Sequence, residues 1–149
     1  MRRALLLIAA LAACTTKQGT GQDSAAAAGD VSTTLHASDV VGTWTGTTMA
    51  GTTDSVVSRW KLVTQNDSMS IIIIEGAPDT IRAHNVYAAD SLVSTSEPFT
   101  LPSMPGAKLT FVAVGRLENG NLRGTVVDRL ASKPDSVVAR DHWEAKREK

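Results

Sequence analysis

Residues 108–130, KLTFVAVGRLENGNLRGTVVDRL, decide how this chain folds. Apolar and polar residues alternate on either side of Glu118-Asn119-Gly120-Asn121. Successive side chains of a strand point to opposite faces, so this alternation marks strands with one buried face. Asn-Gly suits a type I′ turn, whose central residues take positive φ and preserve the strand twist. The stretch predicts an antiparallel hairpin of residues 108–117 with residues 121–130. Its inner face holds Leu109, Phe111, Ala113 and Leu117 on one strand and Leu122, Gly124, Val126 and Asp128 on the other. Thr110, Arg116, Arg123, Thr125 and Arg129 point outward.

The same grammar runs in both directions. Residues 41–49, 55–64, 69–75, 80–88, 91–97 and 136–146 are further strand candidates, eight in all. Val, Ile and Thr dominate them, as strands favour. Asn66-Asp67, Ala89-Asp90 and Lys133-Pro134-Asp135 read as turns, and no segment sustains a helical period. Links this short force antiparallel neighbours. Turn chemistry is the same in a barrel, a half-barrel and a sandwich, but an eight-stranded meander that closes loses both exposed edges. The expected fold is therefore all-β, an antiparallel up-and-down eight-stranded barrel over residues 37–149. Alternation also places Gly42, Trp44 and Gly46 inside, with Val56, Ser58, Trp60 and Leu62, and with Val137, Ala139, Asp141, Trp143 and Ala145. Three polar residues, Ser58, Asp128 and Asp141, thus join an apolar interior.

The first strand is introduced by Ser38-Asp39-Val40-Val41-Gly42-Thr43-Trp44. An acidic-apolar lead-in followed by Gly-x-Trp resembles the lipocalin signature, and avidin-like barrels open with a similar Gly-Thr-Trp. The resemblance implies that Trp44 plugs the closed end of the barrel and that an arginine near the last strand, Arg140 or Arg147, packs across it. It further implies a barrel holding a small ligand. The chain departs from lipocalins in its shorter domain and in lacking their disulfide cysteines and C-terminal helix.

Two segments break the simple pattern. Residues 71–74 are four consecutive isoleucines, which put apolar groups on both faces; cover by a loop or an exterior partner contact at Ile72 and Ile74 would each account for them. Residues 97–106 form the longest gap between strands and hold three of the five prolines, with Phe99, Leu101 and Met104. Proline stiffens such a loop. A lid packed on the barrel end, or a gate at a pocket mouth, explains its apolar residues.

Signals for catalysis are missing from this pattern. His84 and His142 lie on strand faces with Arg82 and Val86, and with Arg140 and Glu144, at no spacing that recurs in metal sites. No Gly-x-Ser-x-Gly elbow occurs. Asp128 and Asp141 on neighbouring strands could form a paired-carboxylate site, but pairing with Arg123 or Arg140, or exposure at a barrel rim, is the expected structural role.

The N-terminus reads MRRALLLIAALAAC. Arg2 and Arg3 precede an apolar run that would rise only about 15 Å as a helix, too short to span a bilayer. Leu11-Ala12-Ala13-Cys14 resembles the lipobox of bacterial lipoproteins. That resemblance implies a signal peptide at residues 1–13, cleavage before Cys14, and acylation at Cys14 that anchors the protein to the membrane. Thr15, rather than Asp, follows the cysteine, which points to the outer membrane facing the periplasm. Cys14 is the single cysteine, so the domain has no disulfide and no thiol metal site. Residues 15–36 are rich in Gly, Ser, Thr, Ala and Gln and read, with Cys14, as a linker of roughly 25 Å span. Loss of residues 1–13 changes Lys plus Arg from 15 to 13 against 15 Asp plus Glu, a balance with no nucleic-acid footprint.

The expected function is non-catalytic binding of a small apolar or amphipathic ligand, with no cofactor. Trp60, Phe111 and Val126 would line the barrel and Phe99, Leu101 and Met104 its mouth. The alternative is an envelope interaction module, an assembly factor or inhibitor, with a side-chain-filled barrel.

Overall fold

The structure, a computed structural model, describes residues 34–149. The segments expected to be a signal peptide, lipidated Cys14 and linker, as far as residue 33, lie outside the described residues. A single helical turn, α1 (Ala37–Val40), precedes eight strands: β1 (Gly42–Ala50), β2 (Val56–Thr64), β3 (Met69–Ile74), β4 (Thr80–Ala88), β5 (Ser91–Ser96), β6 (Leu109–Glu118), β7 (Asn121–Leu130) and β8 (Lys133–Arg147). Every neighbouring pair is antiparallel, and β8 returns to β1 to close the barrel. Asn119 at φ 51° and Gly120 at φ 79° form the expected hairpin turn between β6 and β7. Asn66 Oδ1 accepts from the backbone N–H groups of Ser68 and Met69 at 3.0 and 2.8 Å, which builds the β2–β3 turn.

The two ends of the barrel differ. The closed end is sealed by α1 and by Trp44, which is fully buried with Val40. Trp44 Nε1 donates to the Val40 carbonyl at 2.8 Å. Of the two arginines considered for the outer side of this plug, it is Arg147 whose Cζ lies 4.4 Å from the Trp44 ring centroid. Arg147 Nη1 also donates to the Val41 carbonyl at 2.6 Å, and Nη2 donates to that of Asp39. Arginine thus contributes a planar cation to the ring and a two-pronged donor to the lead-in. Leu35, counted with the linker in the sequence, is buried in this core and donates its N–H to the Ala89 carbonyl at 2.9 Å. Packing therefore begins two residues before position 37.

Farther in, side chains from four strands form a polar chain. Thr64 and Ser70 hydroxyls are 3.1 Å apart, Asn85 Nδ2 donates to Ser70 Oγ at 2.6 Å, and Ser94 Oγ donates to Asn85 Oδ1 at 2.7 Å. Each of these four side chains finds a partner, which removes most of the cost of its desolvation. Two tryptophans lie over glycines on the inner wall. A Cβ on Gly46 would sit 2.3 Å from the Trp60 ring, and one on Gly115 would sit 2.5 Å from the Trp143 ring.

The structure corrects the strand reading at the open end. Lys133-Pro134-Asp135 is the start of β8, and the turn is Ala131-Ser132. The register shifts between Asp128 and Arg129 and again before Leu130, so β8 bulges and tolerates a proline that has no N–H to donate. Val137 consequently pairs with the outward Arg129, and Val138 takes its place inside. A second shift, between Thr48 and Met49, sets Val56 outward and brings Val57 to the interior. One extra residue reverses the faces beyond it. Leu117, at the rim beside the hairpin turn, is 38% exposed.

The isoleucine run is also reassigned. Ile72 pairs with Leu62 and Ile74 with Trp60, so both face inward. The exterior residue that stands out is Ile73, and an exterior contact through Ile72 and Ile74 does not exist in this register.

Candidate functional site

The closed end and the polar chain fill one part of the barrel, and the remainder is a cavity of about 300 Å³. All six residues assigned to a ligand site by sequence line it. Trp60, Phe111 and Val126 come from the walls, and Phe99, Leu101 and Met104 from the loop between β5 and β6. Their convergence has a local cause. Phe99 forms an isolated antiparallel bridge with Leu109, with reciprocal N–H···O distances of 2.9 and 2.8 Å. The Phe99 ring meets Phe111 edge to face, with centroids 6.0 Å apart. This pins the loop back onto the wall and turns Leu101 and Met104 over the mouth.

Sequence reasoning missed other wall residues. Leu62, Ile72, Ile74, Leu92 and Trp143 all reach the cavity. Trp143 stands edge to face with Trp60 at 5.9 Å. Its Nε1 donates to the Thr125 carbonyl at 3.1 Å, as Trp60 Nε1 donates to Thr48 Oγ1 at 2.9 Å. Both indole N–H groups are thus occupied within the wall. Trp143 and Leu62 already belonged to the inward alternation, which was the signal that could have added them.

Charge enters the cavity in one place. Asp128 on β7 and Asp141 on β8 share the inner face and both line it. Neither takes the arginine partner expected for it: Arg123 lies 3.6 Å from Glu144, and Arg140 is exposed opposite Val127 on the outer face. Asp141 Oδ1 accepts the Gly51 N–H at 3.1 Å, from the loop joining β1 to β2. Burial, reinforced by the nearby Asp141 charge, pushes the Asp128 carboxyl up to about 6. Among the described residues, no Lys, Arg or His lines the cavity.

The histidines sit elsewhere. His84 Nε2 is 3.9 Å from Glu97 on the outer face, and His142 Nε2 is 3.0 Å from Asp54. Among the described residues, no three His, Cys, Asp or Glu side chains converge on a metal-sized site. The arrangement is that of an apolar chamber, open at its mouth, with one acidic side and a loop packed beside the opening. Comparisons with known protein families, curated proteins and solved structures return no match for this chain.

Proposed function

We propose that this protein is a non-catalytic carrier that binds a small apolar or amphipathic molecule inside a lipocalin-like barrel. The observation that supports this reading is the cavity itself: about 300 Å³, walled by Trp60, Phe111, Val126 and Trp143 and covered by Phe99, Leu101 and Met104. That volume falls at the small end of ligand pockets, whose walls are mostly apolar with a few placed polar groups. The Trp44–Arg147 plug adds support, because it leaves the cavity open at one end only.

Trp60 and Trp143 report directly on occupancy. Octanol added to the full chain is expected to change tryptophan emission saturably, and Ala113→Phe, which fills part of the cavity, is expected to abolish the response. Native mass spectrometry of the full chain should show a bound mass that denaturation releases. A bare mass with no tryptophan response would end the carrier reading. It would leave the second reading, an envelope interaction module. That one is favoured by a wall of outward valines, with Val86 (61% exposed), Val93 and Val114 in one row and Val112 opposite Val127 beside it.

The carrier is held at the bacterial envelope, in the outer membrane facing the periplasm, through acyl chains on Cys14. The lipobox-like Leu11-Ala12-Ala13-Cys14 supports this. Cys14→Ser should abolish labelling by a clickable fatty acid and leave uncleaved precursor; persistent labelling would refute the anchor.

A further inference from the structure

We infer that the ligand is an amphiphile whose polar end is an organic cation, a protonated amine or a quaternary ammonium, seated against Asp128 and Asp141 with its apolar part among the aromatic walls. This rests on the carrier reading and names the ligand class within it. Among the described residues, Asp128 and Asp141 are the only charged side chains that line the cavity, and both are acidic. Among the described residues, Asp141 receives one backbone N–H donor, from Gly51, and Asp128 receives none. Two carboxylates beside apolar walls repel each other and lose hydration, costs that an entering cation relieves and an entering anion increases.

The position of the pair fits an elongated ligand. Asp141 sits opposite Ala50, the last residue of β1, and Asp128 lies near the end of β7, so both stand toward the mouth. Thr48 and Ser58 are hydroxyls on the same lining, whereas Leu62, Ile72 and Leu92 form its apolar depth. A polar head at the mouth and a tail pointing inward match that gradient. The indole N–H groups of Trp60 and Trp143 are already bonded, so these side chains offer the ligand ring surface, which attracts cations. Hard metal cations are a poorer fit, because Ca²⁺ seeks about six to eight oxygen ligands and the walls here are largely carbon.

The pH response follows from the same geometry. Facing Asp128 are Phe111 on β6 and Ala139 on β8 in register, and Asp141 diagonally, the one titratable group among them. An alkyl amine keeps its charge to about pH 10, as a lysine does. Its preference therefore weakens when Asp128 takes up a proton, below about pH 6.

Octylamine, octanol and octanoate, titrated into the full chain at neutral pH and read by tryptophan emission, test the assignment. Octylamine is expected to bind roughly tenfold tighter than octanol, and octanoate more weakly than octanol. In Asp128→Asn, a near-isosteric change, the amine-to-alcohol ratio should fall several-fold, and Asp141→Asn should act in the same direction. The wild-type ratio should also fall on acidification through about pH 6, which requires no variant. Octanol binding with no amine preference would overturn the cationic assignment and leave the carrier reading standing. Failure of all three to bind would overturn both.

Discussion

Trp44→Ala is expected to destabilise the barrel by about 3–5 kcal/mol, the range for removing a buried aromatic side chain. Three losses coincide at this position. The ring is fully buried among core residues that include Leu35 and Val40. Its N–H leaves the Val40 carbonyl without a partner at the end of α1. Arg147 loses the surface over which its guanidinium lies. Arg147→Lys provides the graded comparison. It retains a positive charge but not the fork that reaches the Val41 and Asp39 carbonyls, and it should cost about 1 kcal/mol. Urea unfolding followed by circular dichroism separates the two. A Trp44→Ala midpoint no lower than that of Arg147→Lys would show that the plug contributes little to the fold.

Asp128→Asn is expected to stabilise the protein at neutral pH, by about 1–3 kcal/mol, and to have little effect near pH 4. The lower part of that range allows for partial solvent screening of a carboxyl that is not fully enclosed. The carboxyl ionises at about 6 when folded against 3.8 in its ordinary state. Between those values the folded chain binds the proton and the unfolded chain does not. Stability from this group is therefore greatest in acid and is lost as pH rises through about 6. Asparagine never ionises and is spared that loss. Melting temperatures of both proteins across this range would check the sign, and curves that stay parallel from acid to neutral pH would contradict it. Stabilisation by removing a charge from a cavity is the usual trade between a binding group and the fold that houses it.

Local signals made most of this fold legible. The Asn119-Gly120 turn, the alternation around it and the short links predicted every strand, because each depends on residues close in sequence. The six residues expected at a ligand site all line the cavity for the same reason: Trp60, Phe111 and Val126 follow strand alternation, and Phe99, Leu101 and Met104 need cover on a proline-rich loop. Errors arose where register decides. Whether Ile72 or Ile73 faces inward depends on pairing with Leu62 and Ile81, and four identical side chains carry no period. The bulges at Val57 and Val138 exchange faces without any distinctive residue to announce them. Arg147 could not be told from Arg140 because the choice depends on how far β8 runs past Trp143. The polar chain from Thr64 to Ser94 was likewise invisible, since its members lie on four strands.

The pairing of β1 with β8 sets an order in time. Trp44 meets Arg147 and Ala50 meets Asp141 across this seam, and Thr43 accepts the N–H of Glu148 at 2.9 Å. The first strand made is thus completed by the last. Because β1 and β8 lie at opposite ends of the barrel sequence, β1 waits for its partner until the other strands have emerged. Throughout that interval the growing sheet keeps a bare edge that any other extended chain can join. The barrel is most vulnerable to aggregation just before β8 arrives, and a chaperone would have most to do at that moment.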